Sequence, residues 1–128
     1  MAAQNLKDLP VRVIQEDAVI FLSQTSDKFD LIVVDIHGNS ESDWRRYADP
    51  LLSRLNPAGT LLLDNAILYK IPEWNEETGI RWFLEQLPPD WKVELITHAL
   101  PGVAAVTKPM TKIQFCDHIG TQSPVQCD

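Results

Sequence analysis

Three oxygen-bearing side chains follow two apolar runs of the sequence, at the points where these runs end. Asp35 ends the run 31–34, Asp64 ends the run 60–63, and Asn65 comes directly after Asp64. Carboxylate and amide oxygens are ligands that Mg²⁺, Ca²⁺ and Mn²⁺ prefer. If the runs are neighbouring parallel strands, about 4.8 Å apart, the three side chains could hold one divalent cation. Alternatively, each aspartate only caps the following turn, and Asp64 and Asn65 form an Asx turn.

Two further side chains could serve a site at the same place. His37 lies two residues after Asp35 and could act as a general base near neutral pH, although a solvated loop histidine is the simpler interpretation. Asp17 follows a third short apolar run, residues 11–14, and could accept a hydrogen bond from a ligand amine. Capping of a helix that begins at Ala18 would explain Asp17 equally well.

The elements that must position these residues form an α/β pattern. Apolar runs as continuous as 29–35 and 60–63 are typical of parallel strands covered on both faces. An amphipathic segment with Trp44 and Tyr47 on its apolar face connects them, and we interpret both aromatic residues as core. Because strand–helix–strand crossovers are nearly always right-handed, the two strands run the same way. Their acids then share the carboxyl edge of one sheet, where open α/β sheets bind ligands.

The rest of the sequence extends this pattern into one domain over residues 1–109, followed by a polar tail over 110–128. The pattern predicts a strand at 11–14, a helix at 18–24, a sharp turn at 56–59, a helix at 76–87, and strands at 91–100 and 103–107 that form an antiparallel hairpin. The loop at 67–74 is rich in large apolar residues, which is typical of a lid or a partner surface.

Composition and charge narrow the classes of partner. The chain has 128 residues and a net charge of −7, so it repels phosphate backbones and anionic lipid, and we expect no nucleic-acid or membrane partner. The polar N-terminus lacks the apolar core of a signal peptide, which favours a cytoplasmic location. Cys116 and Cys127 could form a disulfide, or a metal pair with His118, but unpaired thiols fit a reducing compartment better.

Several short motifs match one known family in order and spacing. They are Glu16-Asp17-Ala18, the strand Phe29-Asp30-Leu31-Ile32-Val33-Val34-Asp35, the segment from Leu51-Leu52 to Asn56-Pro57-Ala58-Gly59, Leu62-Leu63-Asp64-Asn65, and the final strand from Gly102 to Lys108-Pro109. On these motifs, residues 10–109 resemble the C-terminal two-thirds of class I S-adenosylmethionine-dependent methyltransferases. The subgroup they resemble most is the cation-dependent O-methyltransferases that act on catechol and caffeoyl-type substrates.

The resemblance implies S-adenosylmethionine as cofactor, with Asp17, Ala18 and Asp35 on the cofactor side. It also implies a divalent cation, such as Mg²⁺, held by Asp35, Asp64 and Asn65, with His37 as the nearest candidate for proton removal. The implied fold is a truncated Rossmann-like three-layer sandwich. Its sheet would be mostly parallel, with about five strands and a C-terminal antiparallel hairpin.

Two departures from the family limit the activity that this resemblance implies. The glycine-rich cofactor loop has no counterpart, because the first glycine of the sequence is Gly38. Gly38 also occupies the position, three residues after the first metal aspartate, where the family often has a lysine. We therefore expect a methyltransferase-like domain that binds a small ligand but is not catalytic alone. The alternatives are an O-methyltransferase completed by a second chain or subunit, and a non-enzymatic interaction module.

The missing strands would leave the run 29–35 at an apolar edge of the sheet. Such an edge recruits another strand unless it is covered. Either residues 11–14 move beside it, or two copies of the chain pair edge to edge in a closed dimer. We therefore expect a homo-oligomer, with the dimer as its simplest form.

Overall fold

The computed structural model describes residues 2–36, 40–66, 79–98 and 102–110 of the chain. Within these ranges the chain forms four helices and four strands. The helices are α1 (Ala2–Asn5), α2 (Ala18–Gln24), α3 (Glu41–Arg54) and α4 (Gly79–Gln86). The strands are β1 (Phe29–Val34), β2 (Leu55–Asp64), β3 (Lys92–Ile96) and β4 (Val103–Thr107).

The four strands form one mixed sheet in the order β1-β2-β4-β3. β1 and β2 are parallel and are joined through α3, as the sequence predicts. The pairs β2–β4 and β3–β4 are antiparallel, so the predicted hairpin is confirmed. The expectation of about five mostly parallel strands is not confirmed, because the described residues contain four strands and one parallel pair.

The missing fifth strand is the one predicted at residues 11–14, which belong to no strand in the structure. Their apolar side chains are exposed, and Arg12 lies 4.0 Å from the Asp27 carboxylate and 6.0 Å from the centre of the Phe21 ring. A run of β-branched residues becomes a strand only where a neighbouring strand completes the hydrogen-bond ladder. This segment has no such neighbour among the described residues, so the strand prediction is wrong.

The predicted turn at 56–59 lies inside the bounds of β2, at an irregular point of the strand. Between Phe29 and Leu31 of β1, the partner in β2 moves from Leu55 to Thr60. Ala58 adopts a positive φ of 63° there. β2 thus advances five residues where β1 advances two, so the predicted turn residues form an irregular start to β2.

The hydrophobic core lies between the sheet and the helices. α3 packs against both α2 and α4. Trp44 of α3 is buried, which confirms that it belongs to the core, and Tyr47 packs against it with the two rings 5.8 Å apart. Side chains that alternate with the core positions of β1, such as Leu31 and Val33, are exposed on the opposite face of the sheet. Among the described helices, none has the length and apolar character needed to cross a membrane.

Lys108 fastens the end of β4 to the C-terminal end of α3. Its ammonium donates hydrogen bonds to the carbonyl oxygens of Leu55 (3.1 Å) and Leu52 (3.4 Å), and it lies 5.7 Å from the centre of the Trp91 ring. The Lys108 N–H also donates to the carbonyl of Gly59 at 3.0 Å. A cation at the carbonyl end of a helix is stabilised by the helix dipole.

Replacement of Lys108 tests how much this clamp, the set of Lys108 contacts with Leu52, Leu55 and Trp91, contributes to stability. We expect Lys108→Met to lower the free energy of unfolding by about 1–2 kcal/mol, because charged hydrogen bonds to the helix end are lost. The matched control is Lys92→Met, since Lys92 is exposed and its only ion pair among the described residues, with Glu94, is at the surface. Urea unfolding of both variants measures the difference, and equal losses would contradict the role of Lys108 as a clamp.

Candidate functional site

Asp35 and Asp64 lie side by side at the carboxyl edge of the two parallel strands. The register pairs Val34 with Leu63, so the next residue of each strand is one of the two aspartates. Because neighbouring strands are about 4.8 Å apart, both carboxylates can approach one cation. Asp35 is exposed and Asp64 is half-buried. The structure thus confirms the predicted positions of both acids at one sheet edge.

A tight turn fixes the third predicted ligand. Asn65 has a φ of 61°, in the left-handed region that asparagine tolerates, and its N–H donates to Asp64 Oδ1 at 2.9 Å. The next residue, Ala66, is fully buried and donates its N–H to the Gly102 carbonyl at 3.2 Å. An Asx turn would require this Asp64 oxygen to accept from the Ala66 N–H, two residues on. The oxygen accepts instead from the adjacent Asn65, so the predicted Asx turn is not formed. A carboxylate has further acceptor positions, so this bond leaves Asp64 able to bind a cation.

The donor set of this edge limits which cation it could hold. Among the described residues, no cluster of three or more His, Cys, Asp and Glu side chains has the arrangement of a metal site. The set formed by Asp35, Asp64 and Asn65 contains only two carboxylates and one amide. Mg²⁺ keeps several water ligands and is commonly bound through one or two carboxylates, so the set fits Mg²⁺ better than Ca²⁺, which takes six to eight oxygens.

Asp17 has a structural role in the protein. Its Oδ1 accepts hydrogen bonds from the N–H groups of Val19 (2.9 Å) and Ile20 (3.2 Å), so it caps α2. Capping is thus confirmed for this residue, while a contact of Asp17 with a ligand stays a prediction. Ala18, predicted on the cofactor side, lies at the first turn of α2 and lines a cavity.

This cavity has a volume of about 190 Å³ and lies between α2, β1 and α3. Its lining is apolar and aromatic and consists of Ala18, Val19, Phe21, Leu22, Ile32, Val33, Val34, Ile36, Tyr47 and Leu51. Ala18 and Ile36 follow Asp17 and Asp35 in the sequence, so the cavity begins directly behind the carboxyl edge. Sequence reasoning missed it, because its lining comes from three elements that are separated in the sequence.

Several predicted features lie outside the described residues. His37 and Gly38 fall in the segment 37–39, the apolar loop in the segment 67–78, and Cys116, His118 and Cys127 in the tail. The role of His37 as a base and the role of the loop as a lid therefore stay predictions.

Solved structures share this fold, whereas no protein-family model matches the sequence and no curated protein sequence matches it significantly. The SAH-bound methyltransferase PaMTH1 of Podospora anserina is 23% identical, with a TM-score of 0.59, over 82% of this chain and 53% of that one. A provisionally assigned O-methyltransferase of Klebsiella pneumoniae is 20% identical, with a TM-score of 0.64, over 86% and 56% of the two chains.

These similarities establish the class of fold. The chain has the α/β fold of methyltransferases and spans about half the length of the solved structures it matches. This agrees with the resemblance to methyltransferases found in the sequence. Sequence identities below 25% show a shared fold and do not show a shared function, since one fold supports many functions.

Proposed function

We propose that this chain is a methyltransferase-type domain that binds a divalent cation and a small ligand at its carboxyl edge and does not transfer methyl groups alone. The observation that carries the proposal is the strand register, which sets Asp35 and Asp64 side by side with Asn65 in a fixed turn. Asp35 is exposed, so a cation held there keeps positions open for water or for a ligand oxygen.

The proposal that this chain does not transfer methyl groups alone rests on the absence of a glycine-rich loop before β1 in its 128 residues. No glycine precedes Gly38 in this sequence, so no glycine-rich loop can precede β1 within the chain. Such loops let the backbone approach a nucleotide closely, and they usually complete the binding site of folds of this type. The outer side of β1, where a further strand could support such a loop, has no partner among the described residues.

Calorimetric titration of the purified chain with MgCl₂, and separately with MnCl₂, tests the cation site. We expect Asp35→Asn and Asp64→Asn each to weaken cation binding about tenfold or more, because each removes one of two anionic ligands. The matched control is Asp30→Asn, at the amino end of β1, where the carboxylate accepts a hydrogen bond from Asn56 at 3.0 Å. Equal effects of all three replacements, or no binding by the wild type, would overturn the proposal.

A second candidate function is an S-adenosylmethionine-dependent O-methyltransferase that a second chain or subunit completes. It is favoured by the SAH-bound neighbour of the same fold and by the cavity behind the carboxyl edge. Titration with S-adenosylmethionine, with and without Mg²⁺, separates the candidates. Micromolar binding would support the completed enzyme, whereas cation binding without cofactor binding would support the first proposal. If the chain bound neither the cation nor S-adenosylmethionine, an interaction module that uses this fold would be the remaining interpretation.

A further inference from the structure

The outer edge of β1 has no strand partner among the described residues, and apolar side chains lie on both of its faces. β1 ends the described sheet and pairs only with β2. On one face Leu31 and Val33 are 55% and 63% exposed, which is unusual for large apolar residues in a strand. On the other face Ile32 and Val34 line the cavity beneath α2. An edge of this kind favours pairing with another strand.

The cavity reaches this edge and has the size of a side chain. Val33 alternates with Ile32 and Val34 and belongs to the opposite face, yet it also lines the cavity. The cavity therefore extends to the backbone of β1 and is not confined to the helix side. Its volume of about 190 Å³ compares with the roughly 150 Å³ of a dry cavity that accepts benzene. A strand laid along β1 could insert an aliphatic side chain into this space.

We propose that a second copy of this chain covers the edge, with the two β1 strands antiparallel about a twofold axis at Ile32. In this register Leu31 faces Val33 of the second copy, and the two Ile32 residues face each other. Asp30 then faces Val34, so no acid lies opposite an acid. Centring the axis on Leu31 instead would place Asp27 opposite Asp35, and like charges directly opposite are destabilising.

The surrounding surface extends the proposed interface. A twofold axis normal to the sheet brings the helix layers of both copies to the same face, with the α2 helices next to the axis. Ile20 of α2 is exposed, as are Leu31 and Val33 of β1. Pairing would thus bury apolar surface of α2 in addition to that of the strands.

The charge of the chain distinguishes this partner from a basic peptide. Each copy carries a net charge of −7, so the two copies repel each other at low ionic strength. Added salt screens this repulsion, so the dimer should become tighter as salt increases. A basic partner held by attraction to the acidic chain would instead bind more weakly in salt. The proposal goes beyond the cation site, which does not depend on it.

Sedimentation velocity of the full 128-residue chain tests the dimer, at concentrations from about 1 to 100 μM. We expect a dimer whose dissociation constant falls as NaCl rises from about 0.05 to 0.5 M. Leu31→Lys should weaken the dimer about tenfold or more, because it places a charge in the apolar strand pair. The matched control, Ile96→Lys, changes an exposed residue at the far edge of the sheet and should leave the dimer intact.

A covalent test addresses the register. The test variant carries Ile32→Cys together with Cys116→Ser and Cys127→Ser. It should form a disulfide-linked dimer on oxidation, since residue 32 of one copy faces residue 32 of the other. A wild-type monomer throughout the concentration range would overturn the proposal. So would equal dissociation by both lysine variants, or a persistent dimer in which Ile32→Cys stays unlinked. Magnesium titration of the Leu31→Lys monomer separates this result from the cation site, because position 31 lies four residues from Asp35.

Discussion

Replacing Phe83 with alanine should lower the free energy of unfolding by about 3–5 kcal/mol, a large share of the 5–15 kcal/mol that holds a typical domain folded. Phe83 of α4 is fully buried, and its ring lies 5.2 Å from the ring of Trp44 in α3. Removing the ring leaves a cavity between two packed helices. The neighbouring atoms can fill it only in part, so both transfer and cavity terms oppose folding.

Urea unfolding followed by far-UV circular dichroism measures this loss. The matched control is Trp82→Ala in the same helix, because Trp82 is only half-buried and its ring lies 4.6 Å from the Arg45 guanidinium. Trp82→Ala loses a cation–π contact of about 0.5–1 kcal/mol and only part of a side chain's packing against the core, so the control should lose less stability than Phe83→Ala. If both variants lost the same amount, the α3–α4 contact would not be the centre of the core.

Local sequence signals predicted the elements that have their partners within the chain. The bounds of α2 and its cap at Asp17 were predicted correctly, because capping depends on residues within one helical turn. The parallel pairing of β1 and β2 was also predictable, because the helix that joins them requires a crossover. The positions of Asp35 and Asp64 at one edge follow from that pairing.

Features that depend on distant neighbours could not be predicted in the same way. Residues 11–14 have a strand-like composition, yet a strand needs a ladder, and the sequence does not show whether a partner strand lies beside them. The same limit applies to the cavity, which residues of α2, β1 and α3 form together. The irregular start of β2 was not predicted, because Asn56-Pro57 is a typical turn signal and its inclusion in the strand depends on contact with β1.

The candidate site was predictable in position and only partly in chemistry. Strand periodicity places Asp35 and Asp64 at one edge, and the structure agrees. The hydrogen bond from the Asn65 N–H to Asp64 shows that one carboxylate has a structural role as well. Sequence spacing cannot separate these roles, since a turn and a cation both use the same carboxylate oxygens. The two roles are compatible, and cation titration of the asparagine variants measures the second one directly.

Gly79→Ala should destabilise the protein, although the same change in most helices is stabilising by up to about 1 kcal/mol. Gly79 is the first residue of α4 and is buried where α4 meets the start of α3. A Cβ atom at this position would overlap Trp44 Cδ1 and the carbonyl oxygen of Ser40. The carbonyl belongs to the backbone at the N-cap of α3, so it cannot move aside as a flexible side chain would. We therefore expect a loss near the upper end of the 1–3 kcal/mol range that is typical of overpacking, about 3 kcal/mol.

A double-mutant cycle identifies the source of this loss. Trp44→Ala removes the Cγ and Cδ1 atoms that a Cβ at position 79 would meet, so Gly79→Ala should be less destabilising in that background than in the wild type. The remaining penalty then reports the overlap with the Ser40 carbonyl. A gain in stability from Gly79→Ala alone would show that the start of α4 has room for a side chain. The close approach of α3 and α4 behind the carboxyl edge would then not depend on glycine.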